Sequence, residues 1–406
     1  MKKYNKNSIL FFFAVLFVLT GFFGSALFDL AKVGVKALYA LKQGDVSKIV
    51  SMTNDIERAL DSGLSYHALV MDLNSIKENL LGTRVAFKSD MIVVKSESGS
   101  LTEQKNRIDE ESIRTTVSRI KELQEFTEEN GAHFLYCAAP RKELYEVLPG
   151  NIENYFEANY SSFISQLRAS GVVTLDLSET FDDAGLTGPD IFYYTDHHWK
   201  TGSGFLATRA ICEELQKYYQ FEFDEALTDI QNYHVELYPN WFLGSQGKKV
   251  GRYFTWHGPD DFELITPEFQ TDLTEEQPYS AHIRSGSFEE SVLFMNNLVK
   301  NHYRINSYAT YSGGDFYLQI MRNNLNPNGK KVLLLRDSYA YVVAPFLALQ
   351  TGEIHVCDMR EVDWIVGDKI NLEKYFEEIK PDYVIVLYSG ILSMDESSGK
   401  YNFFVG

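Results

Sequence analysis

The chain has 406 residues, 45% of them apolar and 14% aromatic, and 38 basic against 56 acidic side chains give a net charge of −18. That composition can bury one large core or two modest ones, and its acidic balance excludes a role that rests on clustered Lys and Arg, on nucleic-acid phosphates or flat against an anionic membrane. Only ten prolines, no long polar tract and no repeat at a fixed period exclude a mostly disordered chain and a solenoid.

At the N-terminus Lys2, Lys3 and Lys6 precede an apolar run over residues 9–27, ILFFFAVLFVLTGFFGSAL. The run is about long enough to cross a bilayer as a helix. Its basic flank predicts a single-pass anchor at residues 1–29, with the N-terminus in the cytoplasm and the rest outside. A cleaved signal peptide ending near Gly24-Ser25-Ala26 is the alternative. Either reading exports the body of the protein. Residues 30–100 read as a helical stalk or linker, with Ile49, Met52, Ile56, Leu60 and Leu64 at helical spacing. The polar stretch 94–102 (VKSESGSLT) reads as a break, and the main domain is expected over 101–406.

From there helices and apolar strands alternate. A helix is predicted over 110–128, closed by Asn130-Gly131. A buried strand follows at 133–139 (HFLYCAA), then a helix over 155–169, a strand over 171–177 and a helix over 201–219. Residues 225–310 are rich in turn formers (WFLGSQGKKVGRYFTWHG) and read as an irregular, partly β insertion or lid. Regularity returns with a strand at 331–335, a helix after Ser338, strands at 353–357 and 383–388, and a helix spanning 372–379. Nearly all-apolar strands separated by helices predict an α/β fold: a flavodoxin-like parallel sheet with helices on both faces. Ligands of such sheets bind at the carboxyl ends of the strands. The three cysteines, Cys137, Cys212 and Cys357, have no CxxC spacing and read as small core residues, giving neither a disulfide framework nor a zinc site.

Two segments carry chemistry. In the second, Leu333-Leu334-Leu335-Arg336-Asp337-Ser338-Tyr339, an apolar strand runs into Asp-Ser and then a helix. That puts the Ser338 hydroxyl at the strand's carboxyl end, near helix N-terminal amides that suit an oxyanion. Asp337 could instead be a helix cap. A serine hydroxyl needs a base, and the first segment, Tyr194-Thr195-Asp196-His197-His198-Trp199, can supply it. Residues two apart on an extended segment share a side, so Asp196 and His198 are expected to point together and His197 away. Asp196 would then orient the His198 imidazole toward Ser338, with Trp199 walling the site. Two surface histidines before a capped helix would be the bland alternative. A metal cluster is set aside because adjacent histidines on a strand face opposite ways and no HxxxH or HxH partner stands nearby. The Asp-His-His of manganese phosphoesterases is set aside because their further aspartate motifs are missing. Trp241, Tyr253, Phe254 and Trp256 could stack on sugar rings or be core. Gly313-Gly314-Asp315 could bring backbone close to a ligand or be a turn. Nothing resembles a Walker loop or a dinucleotide fingerprint.

The DHHW string, the strand-Asp-Ser-Tyr segment with Pro345-Phe346-Leu347 after it, Cys357-Asp358-Met359-Arg360, and Pro140-Arg141-Lys142 with Leu148-Pro149 resemble the DHHW protein family. That family is similar to the alginate-type O-acetyltransferases of the SGNH (GDSL-like) hydrolase fold. The resemblance covers about residues 100–395. It implies Ser338 as nucleophile, His198 as general base and Asp196 as its orienting partner, without metal or cofactor. The order is reversed relative to ordinary SGNH hydrolases, and Asp-x-His replaces Asp-x-x-His. Arg336 stands where a glycine often precedes Asp-Ser and is expected to crowd the oxyanion site. No Gly-x-Asn-Asp block is visible, so Arg360 and Tyr388 become the substitute oxyanion donors. Gly314, Asp337, Trp199 and His197 complete the candidate site. The function so implied is an extracytoplasmic, membrane-anchored O-acyltransferase, above all an O-acetyltransferase, or an esterase, acting on a cell-surface polysaccharide. Because acetyl-CoA is cytosolic, a transferase would need a multi-pass membrane-bound O-acyltransferase as partner. A non-catalytic envelope scaffold that keeps the fold is the rival.

Overall fold

The computed structural model describes residues 67–88, 91–150, 152–278, 282–360, 370–390 and 400–404. The membrane segment expected at 9–27 and the stalk positions 49–64 lie outside them. Among the described residues no helix is long and apolar enough to cross a membrane. The chain divides into two compact units, Met1–Glu78 and Asn79–Gly406. Of the first, the helix His67–Leu80 is described up to Glu78.

The second unit opens with a three-stranded antiparallel sheet of β1 (Val85–Phe87), β2 (Ile92–Lys95) and β3 (Leu101–Glu103). The stretch read as a polar break is therefore a hairpin, closed by Ser96 N donating to the Ser100 carbonyl at 2.9 Å. The polar turn hid its apolar ends: Val93 and Leu101 are buried against Val250 and Phe254, more than a hundred positions away. The remaining strands are β4 (His133–Ala139), β5 (Thr174–Asp176), β6 (Tyr233–Phe242), β7 (Asp260–Pro267), β8 (Leu273–Gln277), β9 (His282–Gly286), β10 (Leu318–Asn323), β11 (Lys331–Arg336), β12 (Glu353–Cys357) and β13 (Tyr383–Ser389). β6 and β7 form a separate two-stranded ribbon.

The large sheet has eight strands in the order β5-β4-β13-β11-β12-β10-β8-β9. The five strands from β5 to β12 are parallel, as expected. Counted from β11, they run 2-1-3-4-5 from the β12 side, which is the flavodoxin order. The chain simply enters that sheet at its fourth strand. This permutation explains why the serine segment comes last in the sequence. The expected sheet was wholly parallel, and here the reading is corrected: β10, β8 and β9 add three antiparallel strands beyond β12. β8 and β9 come from the segment read as an insertion or lid. Their sequences, LTEEQ and HIRSG, are too polar to signal strands, and only Leu273 among them enters the core.

Both faces of the sheet are covered. Alternate residues of each central strand feed two cores: Leu334, Ile385 and Cys137 lie on one side, Leu335, Val386 and Tyr136 on the other. The first side packs against the helices Thr201–Tyr219 and Ala340–Ala348, the second against Glu110–Glu129, Phe156–Ala169 and Leu372–Ile379. All three cysteines are buried and free. The helix Ala340–Ala348, which follows Ser338, is apolar all round, and every residue in it is buried, as such helices must be. It contains Pro345, which cannot donate to the Tyr341 carbonyl one turn back. The Ser312 hydroxyl donates to that carbonyl instead, at 2.8 Å, so the buried acceptor is satisfied.

Candidate active site

The turn after β11 carries Ser338. Leu334 and Leu335 pair with β12 and β13 on either side, so the chain leaves the sheet at its topological switch point. Asp337 fixes the turn. Its Oδ1 accepts from Tyr339 N at 3.0 Å, and its Oδ2 accepts from Ser389 N at 2.7 Å, the Ser389 hydroxyl at 2.8 Å and Lys400 Nζ at 2.6 Å. Burial alone would raise this carboxyl, but Lys400 and Arg360 hold it far below the ordinary carboxylate range. Asp337 thus caps the helix entry and also ties β11 to β13, leaving the half-buried Ser338 to face outward.

His198 meets it there. His198 Nε2 lies 2.7 Å from Ser338 Oγ, and His198 Nδ1 lies 2.5 Å from Asp196 Oδ1, although 140 positions separate the serine from the histidine. The expected pairing of Asp196 with His198 is present, but the expected geometry is not. Residues 194–198 form a bend rather than an extended strand. Asp196 Oδ1 also accepts the His198 backbone N–H at 3.0 Å, so the carboxylate folds back over its own turn. The expectation that His197 points away is corrected for the same reason. Its ring lies 3.8 Å from that of His198, centroid to centroid, and its Nδ1 is 3.0 Å from the Ser245 hydroxyl. Burial, then the neighbouring His198, lowers the His197 pKa to about 3, so it is neutral at ordinary pH.

The bend is held from outside. Ser245 N donates to Asp196 Oδ2 at 2.5 Å, Gly244 N to Thr195 Oγ1 at 2.9 Å and Gly247 N to the Thr195 carbonyl at 2.9 Å. Asp260, at the start of β7, accepts from Tyr194 N at 2.5 Å and Thr195 N at 2.9 Å. Burial pushes its pKa up to about 6 against the opposing Thr195 hydrogen bond and Lys142 charge. Lys142, from the Pro140-Arg141-Lys142 motif, is lowered to about 8 by burial and donates to the Leu101 carbonyl at 2.7 Å. The Asp196 carboxyl is buried, which would raise it, but His198 and His197 hold it well below the usual range. It is therefore the acceptor in its pair with His198, which assigns the proton on that edge to His198 Nδ1 and leaves Nε2 to face the serine.

An aromatic shell completes the cluster. Tyr308 stacks on the His198 ring at 4.1 Å with 17° between planes. The Tyr339 carbonyl accepts from Tyr308 Oη and Trp199 Nε1, each at 3.1 Å, and Tyr339 Oη donates to the His197 carbonyl at 2.5 Å. Tyr339 therefore latches the histidine bend onto the serine turn. Trp199, expected to wall the site, is wholly buried beneath it and packed edge-on against Tyr339.

The other expected residues are placed elsewhere. Arg360 donates to Asp358 at 2.9 and 2.5 Å and to Asp315 at 3.1 Å, so its Nε and Nη2 are held in ion pairs. Tyr388 donates to the Lys400 carbonyl at 3.0 Å inside the core. Gly314 has open space where a Cβ would stand and gives its carbonyl to Arg336 at 3.2 Å, so it makes a turn, not a close approach. Arg336 does not crowd the serine: its buried guanidinium is held by Asp315 at 2.9 Å and Asp358 at 3.1 Å. Of the aromatics weighed for sugar stacking, Phe254 is core and Trp256 is 67% exposed. Sequence reasoning missed Ser245, Asp260, Tyr308 and Tyr339. All but Tyr339 lie in the segment read as a lid, where the run of glycines in GSQGKKVG was the available signal for Ser245.

Asp196, His197 and His198 present ligand atoms within 4.8 Å of one another, so the argument from opposite strand faces does not hold against a metal. The imidazole of His198 is engaged elsewhere, however. Both His198 nitrogens and His197 Nδ1 already have hydrogen-bond partners at 2.5 to 3.0 Å, in Asp196, Ser338 and Ser245. The arrangement instead suits a serine nucleophile, an imidazole base and a carboxylate that orients it.

Residues 97–232 match the family model described as the SGNH hydrolase-like domain of the acetyltransferase AlgX, a stretch that contains the histidine bend but not Ser338. Among solved structures, PatB1 of Bacillus cereus, solved with a sulfonyl adduct, superposes with a TM-score of 0.62 at 21% identity, covering 78% of this chain and 100% of that one. A DHHW family protein from Eubacterium siraeum does so with a TM-score of 0.58 at 18% identity, covering 79% and 98%. No curated protein sequence matches the chain. Residues 97–232 thus resemble the SGNH hydrolase-like domain of an acetyltransferase, and the chain shares its fold with a DHHW family protein, the likeness that its motifs implied.

Proposed function

We propose that this chain is an extracytoplasmic serine O-acyltransferase, above all an O-acetyltransferase, or the corresponding esterase, working on a cell-surface polysaccharide from a single-pass N-terminal anchor. The observation that carries this reading is the continuous hydrogen-bonded line Ser338–His198–Asp196, at 2.7 and 2.5 Å. Ser338 Oγ attacks the carbonyl carbon of a donor ester while its proton passes to His198 Nε2. Asp196 keeps the Nδ1 proton in place and stabilises the imidazolium. The tetrahedral intermediate collapses as the donor's C–O bond breaks, and its leaving oxygen takes the proton from His198. The resulting acyl-serine is attacked by a sugar hydroxyl, or by water in the esterase, whose proton returns through His198 to Ser338. The Ser338 N–H takes no acceptor among the described residues and stands at a helix entry, which suits it to receive the oxyanion. Acetyl-CoA is cytosolic, so a transferase facing outward needs a multi-pass membrane-bound O-acyltransferase to hand the acyl group across.

The test is covalent labelling of the full chain with a sulfonyl fluoride, followed by turnover of an acetyl ester reporter. Labelling at Ser338 is expected. It should be lost in Ser338→Ala, and turnover should fall by about 10⁴-fold or more in His198→Ala. A correctly folded protein that neither labels nor turns over would instead be an envelope scaffold.

A further inference from the structure

Pro140-Arg141-Lys142 follows β4, and Arg141 has no part in the line Ser338–His198–Asp196. β4 stands two strands from β11, with β13 between them, which is about 10 Å at ordinary strand spacing. Ala139 pairs with Ser389, and Gly390 N donates to the Ala139 carbonyl at 3.0 Å, so Arg141 leaves β4 beside the carboxyl end of β13. Its arm leans over that end, toward β11: Arg141 Cδ lies 3.6 Å from where a Cβ of Gly390 would stand. The guanidinium stands near the junction of the serine turn and the histidine bend. Burial raises the pKa of the Tyr339 hydroxyl, and Arg141 is the first charge opposing that rise. Behind burial and the neighbouring His198, the same charge also acts on His197, whose carbonyl accepts from the Tyr339 hydroxyl. Tyr339 and His197 are the chain neighbours of Ser338 and His198.

Arg141 is held rigid with half of its donors unused. It is buried, and one edge of its guanidinium is taken: Nε donates to Glu143 Oε2 at 3.2 Å and Nη2 to Oε1 at 3.1 Å. Glu143 is buried as well, which would raise it, but Arg141 and then Lys105 hold it below the ordinary carboxylate range. A buried ion pair of this kind adds little to stability, because desolvation offsets its attraction. The other edge, Nη1 with the second hydrogen of Nη2, meets no acceptor among the described residues, and Nη1 is not sealed from solvent. The neighbouring cations are more fully matched by carboxylates. Arg336 and Arg360 share Asp315 and Asp358, and Lys400 holds Asp337.

The geometry points to Arg141 as a second oxyanion donor: its free N–H edge and the Ser338 N–H together receive the carbonyl oxygen of the donor ester. As Ser338 Oγ bonds to the carbonyl carbon, the π electron pair moves onto that oxygen and the serine proton passes to His198. When the intermediate collapses, the pair re-forms the carbonyl and the donor's C–O bond breaks. A guanidinium fixed by a buried carboxylate needs no reorientation as the charge appears, which is the property an oxyanion donor requires. This inference rests on the acyl-serine chemistry proposed above and adds to it a residue that touches the reacting oxygen.

The experiment compares first-turnover acylation of the full chain by p-nitrophenyl acetate and by its thionoester, in which sulfur, a poor hydrogen-bond acceptor, replaces the carbonyl oxygen. Arg141→Lys keeps a cation beside Glu143 but lacks the free N–H edge. Arg141→Ala combined with Glu143→Gln removes both charges of the buried pair at once. Each variant is expected to slow the oxygen ester by about a hundredfold and the thionoester far less, so that the ratio of the two rates falls by about tenfold. A damaged fold slows both esters alike and leaves that ratio where it was. An unchanged ratio in either variant therefore overturns the assignment, whether the rates fall or hold. Ser338→Ala separates the two ideas. A first turnover that depends on Ser338, with the ratio unchanged, sinks the Arg141 assignment alone. A first turnover that survives Ser338→Ala, or is absent from the wild type, sinks the acyl chemistry and this assignment with it.

Discussion

The serine turn and the histidine bend face each other across 2.7 Å but are held in opposite ways. The serine turn is set by the sheet: β11 lies between β12 and β13, and Asp337 ties the exit of one central strand to the end of the next. The bend at 194–198 belongs to no regular element and is positioned by Gly244, Ser245 and Asp260, about fifty or more positions downstream. A nucleophile can thus be inherited from topology, while its base has to be clamped. Damage to the clamp should separate activity from stability less cleanly than damage at the serine itself, because the clamp also buries Thr195 and Asp196.

The sharpest way to break the bend is Gly244→Ala. An added Cβ would stand 2.2 Å from Asp196 Cβ and 2.5 Å from its Cα, so a backbone has to move. A loss of about 4 kcal/mol is expected in denaturant unfolding, together with loss of ester turnover. Wild-type turnover in a stable Gly244→Ala protein would show that the bend is not clamped there. On the serine side the corresponding change is Lys400→Met. It leaves Asp337 as a buried charge without its cation, at a cost of about 3 kcal/mol. Because Ser389 and Tyr339 amides still hold the carboxylate, the surviving folded fraction should keep labelling at Ser338.

This contrast also explains what could be read in the sequence. β4, β11, β12 and β13 were legible because central parallel strands are apolar on both faces, and the helices beside them carry a clear 3.6-residue period. The Asp196–His198–Ser338 set was legible because its residue types match one chemistry. β8, β9 and β10 were not, since LTEEQ, HIRSG and LQIMRN mix polar with apolar residues, and the buried Glu275, Gln277 and Gln319 are held by hydrogen bonds to one another that no pattern in the sequence announces. For Arg360 and Tyr388, strand-end position did not report partners: Asp358 and Asp315 pair with the one, and the Lys400 carbonyl takes the hydroxyl of the other. The DHHW spacing led to the right pair through an extended geometry that the chain does not adopt. An aspartate two residues before a histidine reaches it in a tight bend as well as on a strand.

His197 gives a pH test of the clamp. Its folded pKa, about 3, lies below the ordinary 6.5, so the unfolded chain binds more protons between those values. The sign follows: this stability is fully present above about pH 6.5 and is lost as pH falls toward 3. The ring is 26% exposed, which screens part of the effect, so a loss of about 1.5 kcal/mol is expected between pH 7 and 5. His197→Gln should flatten that slope in urea titrations at the two pH values. An unchanged slope would mean that His197 titrates freely.

The smallest expected effect is the most specific. Tyr339→Phe removes one hydroxyl, the donor to the His197 carbonyl, and leaves the carbonyl that Trp199 and Tyr308 share. Global stability should fall by about 1 kcal/mol, the ordinary worth of one buried hydrogen bond. Turnover should fall by more than that loss implies, because this bond joins the segment carrying the base to the residue next to the nucleophile. A drop in kcat of about tenfold with KM nearly unchanged would mark a positioning role. Equal proportional losses in kcat and in the folded fraction would reduce the Tyr339 hydroxyl to packing, and the two regions would then be aligned by the Trp199 bond to the Tyr339 carbonyl and by the clamp of Asp260 and Ser245.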